Sequence, residues 1–584
     1  MFASTTDILV AYGATVTRPV IIGNCSGFYG DRIAAAREMV DGGPIDVLCG
    51  DYLAELTMLI LAKAQAKDPA GGFAKTFLTQ VEDVLGTCLE RGIKIVANAG
   101  GLNAAGLADA IRAVATRLGL TVAVAHIEGD DLRGDLSAIR PEVVGEPVSA
   151  NAYLGGWGIA QALAAGADVV VTGRVTDASL VVGPAAWWHG WGLEDWDRLA
   201  GAVAAGHVIE CGPQATGGNY PFLDEITDLR YPGFPIAEVA ADGSSVITKH
   251  PGTGGLVSVG TVTAQLLYEI AEPAYLGPDV TTHMDTAVLG QDAEHRVTIS
   301  GVQGSPPPST LKVALNDIGG FRNTMTFVIT GLDIEAKAAR CESLLFEVLG
   351  GKDRFGSVDV RLLRFDTPDA EENALATAHL KITVMDPDPQ VVGRAFSGAA
   401  MELALAGYAG FHTTTPPTSE SAYGVYRPAA VPRTALEQVV VLPDGSRHVV
   451  ADPPTGPAPT PPTLTPADLP DGPTVRAPLG RVCGARSGDK GGNANVGLWA
   501  RDDAGHAWLR AYLTVDRLRE LLGPEAADLR IERYELPTLR AINVVVHRLL
   551  GDGVASTARP DPQAKGLGEY LRSRTVDVPA ALLD

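Results

Sequence analysis

Between residues 18 and 175 the sequence repeats one pattern, a short apolar run followed by a longer amphipathic stretch. Apolar runs of this kind predict strands buried on both faces, and the amphipathic stretches predict helices. Their alternation is typical of a parallel sheet with helices on both sides. The predicted strands are residues 20–23, 46–49, 94–97, 122–126 and 168–172, and the predicted helices are residues 32–40, 54–66, 73–90, 107–118 and 158–165. We therefore predict an α/β fold with an N-terminal doubly wound, mostly parallel sheet; the alternative, a (β/α) barrel, needs eight strands.

The pattern changes at about residue 230. Asp242-Gly243 lies between two apolar segments and predicts a β-hairpin of residues 235–240 and 245–249. Further strands are predicted at 257–263 and 296–300, and helices at 335–348 and 393–405, which indicates an α+β region. Nine of the 22 residues in 452–473 are proline, which predicts an extended linker. We predict an α/β core at 1–229, its α+β continuation at 230–450, a Pro-rich linker at 451–473, and a small α+β domain at 474–584.

Composition excludes several classes of partner. The 584 residues include 46 Lys and Arg against 69 Asp and Glu, a net charge of −23 that repels nucleic acids. No apolar run is long enough to span a bilayer, and the first 20 residues lack the features of an export signal. Six cysteines without a C-x-x-C pair argue for reduced thiols and against a disulfide framework. We expect a cytoplasmic protein that neither binds nucleic acid nor inserts into membranes.

Polar and glycine residues follow the predicted strands, and ligands of open parallel sheets bind at the carboxyl ends of the strands. We interpret Asp51 and Asp177 as candidate catalytic carboxylates, with the alternative that both cap helices. The remaining candidates would bind ligand, since glycines admit a ligand to the backbone and helix N-termini favour anions. They are Asn24, Ser26, Asn98, Gly100, Gly101, Asn103, Asp130 and Arg174.

His207 and Glu210 are three residues apart and share one face if the segment is helical. They are interpreted as a catalytic base with its orienting carboxylate, as two metal ligands lacking a third, or as a surface pair. Four tryptophans at 187, 188, 191 and 196 are candidates to exclude water from Asp177 and His207. Asn219 follows two glycines and is a further ligand-binding candidate. Cys25 is a candidate nucleophile or a small buried apolar residue.

Motifs for cofactors are weak. Gly23, Gly27 and Gly30 form G-x-x-x-G-x-x-G, which is neither the dinucleotide fingerprint nor the lysine-containing phosphate loop. We predict no cofactor, and a metal ion is left open. Near the C-terminus, the polar segment 485–495 carries Asp489 and Lys490. We interpret it as a loop between two strands that binds an anion or docks on the first domain, or else as a long hairpin.

Taken together, these segments resemble the acyclic terpene utilisation family, the AtuA-like proteins. The resemblance is carried by residues 23–31, 50–57, 98–103, 129–132, 172–179, 206–218, 248–255, 265–270 and 278–281. Residues 485–495, 532–537 and 543–546 resemble the small domain of ferredoxin-type fold that accompanies this family. The pair Thr282-His283 departs from the acidic–aromatic pair that the resemblance leads us to expect.

The resemblance implies a place in the degradation of terpene alcohols through acyl-CoA thioesters. Together with the carboxylates at strand ends that favour anions, the resemblance predicts an acid–base enzyme of hydratase, dehydratase or isomerase type. The expected substrate is a small molecule, a branched or terpenoid-like acyl-CoA or carrier-bound acid, and the chain is expected to form a homo-oligomer. Two alternatives remain: a metal-assisted hydrolase using His207 and Glu210, and a non-catalytic assembly or binding subunit.

Overall fold

The structure, a computed structural model, describes residues 18–143, 145–460, 465 and 467–583. The chain forms two compact units. The first comprises residues up to Asn316, Tyr426–Val554 and the residues from Gln563, and the second comprises Asp317–Val425 and Ala555–Pro562. The domain boundaries inferred from composition remain predictions.

The strands, in chain order, are β1 (Val20–Asn24), β2 (Val47–Gly50), β3 (Lys94–Ala97), β4 (Val124–Glu128), β5 (Ser149–Ala152), β6 (Val169–Thr172), β7 (Pro235–Val239), β8 (Ser245–Lys249), β9 (Ala274–Leu276), β10 (Thr281–His283), β11 (Val288–Ala293), β12 (Arg296–Ser300), β13 (Gln303–Ser305), β14 (Thr310–Thr330), β15 (Ser357–Arg364), β16 (Thr377–Asp386), β17 (His412–Thr413), β18 (Ser421–Pro432), β19 (Val439–Val441), β20 (Arg447–Val449), β21 (Thr474–Pro478), β22 (Cys483–Lys490), β23 (Asn493–Ala500), β24 (Ile531–Leu536), β25 (Ala541–Val546) and β26 (Thr575–Pro579). The α-helices are α1 (Ala35–Gly42), α2 (Glu55–Lys67), α3 (Lys75–Arg91), α4 (Ala104–Leu118), α5 (Trp157–Ala164), α6 (Ser179–His189), α7 (Trp196–Ile209), α8 (Val259–Leu266), α9 (Ile334–Leu349), α10 (Pro389–Val392), α11 (Arg394–Glu402), α12 (Asp503–Tyr512), α13 (Val515–Leu522) and α14 (Leu567–Ser573).

Among the described residues, eleven strands of the first unit form one sheet in the order β11-β12-β8-β7-β1-β2-β3-β6-β4-β19-β20. The five strands from β1 to β4 in this order are parallel to one another. Antiparallel strands extend both edges, and the predicted hairpin is present as β7 and β8. The predicted α/β class is therefore confirmed, because the sheet is open and centred on parallel strands.

Both faces of the central strands are buried, as their near-continuous apolar sequence predicts. Val47 and Val96 pack on one side with helices α5, α6 and α7. Leu48 and Ile95 pack on the other side with α1, α3 and α4. Because full burial of each such side chain contributes about 1.5–3 kcal/mol, the two cores fix the helices on the sheet. The sheet is therefore doubly wound.

Helix α7 is buried from Leu199 to its last residue, Ile209, and this stretch includes several small residues. Gly206 lies against Ala178 so closely that a Cβ added to it would be 2.8 Å from the Ala178 Cα atom. The helix ends at the carboxyl edge of the sheet. His207 is therefore enclosed near that edge and is not on the surface.

Two predictions about local structure were wrong. Residues 257–263, predicted as a strand from their β-branched residues, form the start of helix α8. Ser258 Oγ accepts a hydrogen bond from Thr261 N at 3.2 Å, and Thr261 Oγ1 accepts one from Ser258 N at 3.0 Å. This capping box outweighs the β propensity of the segment. Residues 485–495, interpreted as a loop with a long hairpin as the alternative, form the hairpin of β22 and β23, so the loop interpretation was wrong and the alternative is confirmed.

The C-terminal part of the first unit is an α+β domain with its own core. Its antiparallel sheet has the order β22-β23-β25-β24, and α12, α13 and α14 connect or follow these strands. Helix α12 was missed in the sequence, although Asp502 caps it by accepting a hydrogen bond from Gly505 N at 2.7 Å. Strands β21 and β26 pair separately.

The second unit is also α+β. Strand β16 pairs with the C-terminal half of β14, from Phe321↔Asp386 to Thr330↔Thr377, and with β15 on its other side. Helices α9 and α11 share an apolar core with these strands. In the described part of the whole chain, no helix is both long and apolar enough to cross a membrane.

Candidate active site

A cavity of about 910 Å³ lies at the carboxyl edge of the parallel strands in the first unit. The cavity is lined by residues that follow β2 and β6, by the end of α7, and by the β22–β23 hairpin of the C-terminal domain. Of the residues predicted from the sequence, the lining includes Asp51, Arg174, Asp177, His207, Glu210, Asn219, Asp489 and Lys490. The fold thus brings together groups that are more than 400 positions apart in the chain.

Arg174 forms an ion pair with Asp177 at the end of β6. Its Nη2 atom lies 3.0 Å from Asp177 Oδ1, and its guanidinium is 4.2 Å from the centre of the Tyr153 ring. A second nitrogen of the guanidinium donates to the carbonyl of Leu53. The arginine side chain is almost fully buried, so these contacts determine its orientation. A positive charge is therefore held in the cavity wall beside a carboxylate.

Asp51 is buried at the end of β2. Its Oδ1 atom accepts hydrogen bonds from Asn98 Nδ2 at 2.6 Å and from Leu53 N at 3.1 Å. Burial raises the pKa of Asp51 well above its ordinary value, and the negative charge of Asp177 raises it further, while Arg174 opposes this. The environment therefore favours the protonated form of Asp51.

His207 and Glu210 lie at the end of α7, 1% and 6% exposed. Burial lowers the pKa of His207 to about 4. Burial also raises the pKa of Glu210 well above its ordinary value, and the charges of Asp177 and Glu269 raise it further. His207 Nδ1 lies 3.2 Å from Glu210 Oε1, outside hydrogen-bonding alignment. Because both side chains are favoured in the neutral form near pH 7, their contact is not an ion pair.

The sequence profile described as acyclic terpene utilisation family protein AtuA matches residues 20–442, close to three quarters of the chain. The chain belongs to this family. The profile of the AtuA ferredoxin-like domain matches residues 477–577. No curated protein matches the sequence.

Membership of the AtuA family implies a part in acyclic terpene utilisation. The family resemblance inferred from the sequence is confirmed, and so is the ferredoxin-like C-terminal domain. Because the cavity is lined from both matched regions, the ferredoxin-like domain of this AtuA family member contributes to its wall.

Several predicted ligand-binding residues lie one layer behind the cavity. Asn98 bonds Asp51, as described above. Asp130 Oδ2 accepts hydrogen bonds from Arg174 N at 2.7 Å and from Asn151 Nδ2 at 2.9 Å. Burial raises the pKa of Asp130 to about 7. Asn98 and Asp130 therefore support the residues of the cavity wall from behind.

Another group of predicted ligand-binding residues shapes the backbone. Asn24 Oδ1 accepts from Ser26 N at 3.0 Å, and Ser26 Oγ donates to Phe28 O, so both stabilise the turn after β1. Asn103 caps α4 by accepting from Gly106 N. A Cβ added to Gly100 would lie 2.5 Å from Thr172 O, and one added to Gly101 would lie 2.4 Å from Leu61 Cδ1. These two glycines permit close packing within the protein, away from the cavity lining.

Cys25 is 1% exposed and lies apart from the cavity lining. Burial raises the pKa of its thiol to about 12. Its Sγ atom is 4.0 Å from the Tyr52 hydroxyl. The site thus favours an uncharged thiol, which is a poor nucleophile.

The sequence interpretation missed part of the cavity wall. Tyr153, Tyr268, Glu269, Tyr275, Lys312 and Lys565 all line it. The tryptophans at 187, 188, 191 and 196, expected to exclude water from the site, are absent from that lining in the described part of the chain. Within the described residues, no group of three or more His, Cys, Asp or Glu is arranged to hold a metal ion. These tyrosines and lysines are far apart in the sequence, and no sequence pattern indicates that they lie close together in the fold.

Proposed function

We propose that the protein is an acid–base enzyme of the hydratase, dehydratase or isomerase type. Its substrate would be a branched or terpenoid-like acyl thioester. The observation that carries the proposal is the pairing of two kinds of carboxyl group in one cavity. Glu210 is favoured as the protonated acid, while Asp177 is ion-paired with Arg174. Carboxyl groups whose environments differ in this way divide into a proton donor and a proton acceptor.

The roles follow from this difference. In a dehydration, the Asp177 carboxylate removes the proton from the carbon next to the thioester carbonyl. Glu210 donates its proton to the leaving hydroxyl, so that the C–O bond breaks and water and an unsaturated thioester form. The proton then returns from Asp177 to Glu210, and hydration is the reverse. In an isomerisation the same two groups remove and return a proton at different carbons of the substrate.

The size and lining of the cavity support a thioester of moderate size. Volumes of about 300–1,000 Å³ are usual for small-molecule sites, and this cavity has about 910 Å³. Leu53, Leu311 and the ring of Tyr275 supply apolar surface for a branched acyl chain. Lys312 and Lys565 bring positive charge to the lining, which suits a phosphorylated carrier.

Exchange of protons with solvent tests the proposal without knowledge of the exact substrate. Purified protein is incubated in D₂O with branched, unsaturated and 3-hydroxy acyl-CoA thioesters, and mass spectrometry measures deuterium uptake and added or lost water. We expect uptake with wild-type protein and a loss of about 10²–10⁴-fold in Asp177→Asn and Glu210→Gln. The matched control is Glu194→Gln, at an exposed position before α7, which should exchange at the wild-type rate.

A binding subunit would give a different result. In that case the wild-type protein would bind the thioesters, measured by calorimetry, without any deuterium uptake or change in water content. That outcome would overturn the acid–base proposal. Equal exchange rates in the wild type and in both cavity variants would overturn the assignment of Asp177 and Glu210.

A further inference from the structure

The segment after α8 adopts an unusual backbone conformation where it lines the cavity. Glu269 has φ of 57°, in the left-handed region that residues other than glycine rarely adopt. Such a conformation persists only where the surrounding structure holds it. Contacts from neighbouring residues must therefore hold Glu269 in this conformation.

The bonds to this segment come from the C-terminal domain. Asn495 Oδ1 accepts a hydrogen bond from Glu269 N at 2.8 Å, and Lys490 Nζ donates to Glu269 O at 2.8 Å. Asn543 Nδ2 donates to the carbonyls of Ile270 and Ala271, at 3.2 and 2.6 Å. These bonds use only the backbone of the segment. We refer to Lys490, Asn495 and Asn543 as the clamp.

Burial, hydrogen bonding and close packing all hold the clamp residues in place. Asn495 and Asn543 are fully buried on the neighbouring strands β23 and β25, and their side-chain amides are hydrogen-bonded to each other. Glycines let the two parts approach: a Cβ added to Gly497 would lie 2.4 Å from Leu267 Cβ, and one added to Gly488 would lie 2.3 Å from the Tyr268 ring. Buried amides that lacked these partners would cost free energy. The hydrogen bonds therefore favour one position of the C-terminal domain against residues 269–271.

We propose that the C-terminal domain completes the active site by holding Glu269 in place through the clamp. Glu269 is a positioning residue that lines the cavity, where its charge acts on Glu210. That charge favours the protonated form of the neighbouring acid, which is the form that can donate a proton. The inference rests on the proposed function for the use of that proton, whereas the placement of Glu269 rests on the clamp alone.

The electrostatics agree with this placement. The charge of Glu269 raises the pKa of Glu210, in addition to burial and the charge of Asp177, while the positive charges of Arg174 and of Lys490 in the clamp lower it. It also opposes the effect of burial on His207. Removing the charge should therefore make Glu210 ionise at lower pH, whether or not a substrate is present.

The test follows the titration of Glu210 in the full-length protein by infrared spectroscopy. The band of its protonated carboxyl is identified as the one that disappears in Glu210→Gln. We expect the band to titrate at lower pH in Glu269→Gln and in Glu269→Gly, which removes the charge while glycine adopts the positive φ easily. Asn543→Ala should shift it in the same direction. Asn493→Ala is the matched control, since Asn493 lies on β23 but accepts from Arg548 N within the same domain.

The outcomes separate the two proposals. If the band titrates at the wild-type pH in both Glu269 variants, the inference is overturned. If Asn493→Ala shifts it as much as Asn543→Ala does, the clamp has no specific role and the inference also fails. If the shifts occur but Glu210→Gln retains full proton exchange with thioesters, then the clamp stands and the acid–base proposal falls.

Discussion

Asn98 Nδ2 donates a hydrogen bond to Asp51 Oδ1 at 2.6 Å, which joins the carboxyl ends of β2 and β3 behind the cavity wall. Both side chains are buried, and Leu53 N donates to the same carboxyl oxygen. Asp51 is therefore a buried hydrogen-bond acceptor, and its raised pKa favours the neutral form.

A first prediction follows for Asp51. Asp51→Ala leaves the donors on Asn98 and Leu53 without a partner, which should lower the free energy of unfolding by about 1–3 kcal/mol. Asp51→Asn retains an acceptor oxygen without a charge and should lose less. Thermal unfolding of the two variants measures the difference. An equal loss of stability in both would show that the hydrogen bonds to Oδ1 do not matter.

A second prediction concerns pH. The pKa of Asp130 is raised to about 7, so the folded protein keeps a proton that the unfolded chain loses near pH 4. This carboxyl therefore destabilises the fold progressively as pH rises through that window, and the contribution is complete above pH 7. Asp130→Asn removes it. The stability of the variant relative to wild type should rise by about 3 kcal/mol between pH 4 and 7.

Denaturant unfolding across this pH range measures the effect. The amide of Asn151 can turn to accept a bond from the new side chain, because its Oδ1 has no hydrogen-bond partner among the described residues. Asp109→Asn, at an exposed position on α4, is the control and should keep the wild-type slope. Parallel profiles for Asp130→Asn and wild type would contradict the raised pKa.

A third prediction concerns Cys25. Its buried thiol, with a pKa raised to about 12, should resist alkylation by iodoacetamide at pH 7.5 in the native protein and react after unfolding. Mass spectrometry of tryptic peptides gives the extent of labelling. Cys25→Ala should leave thioester exchange unchanged. Rapid labelling of the native protein together with loss of exchange in Cys25→Ala would restore this residue as a nucleophile.

A fourth prediction concerns the contact of β23 with α8. Gly497→Ala places a Cβ 2.4 Å from Leu267 Cβ, which cannot move without its backbone. We expect a loss of about 1–3 kcal/mol from overpacking, and faster proteolysis of the C-terminal domain. Gly398→Ala on α11 is the matched control, since no atom of the described residues lies within 4 Å of its added Cβ. This control should gain about 0.5–1 kcal/mol of stability.

Local sequence patterns were sufficient to predict most strands of the central sheet and the helices between them. The five parallel strands and the helices between them lie within a few residues of their predicted positions, because apolar periodicity reflects burial directly, whereas the short strand β5 was not predicted. The strand predicted at 257–263 was wrong because Ser258 and Thr261 cap a helix, an interaction that depends on side-chain geometry. The predicted carboxyl-edge site contains Asp51, Arg174 and Asp177, since the ends of parallel strands meet at one edge.

The α/β class, the family and the edge of the sheet where polar residues gather could all be predicted from the sequence, since each of these follows from patterns within a short window. Which of these residues face the cavity, and which protonation state each one favours, depends on the folded chain. Burial and neighbouring charges set the pKa of Glu210 and of His207, and those neighbours are distant in the chain. Glu269 is the clearest example: its backbone N donates a hydrogen bond to Asn495, 226 positions away, a pairing that only the folded chain creates.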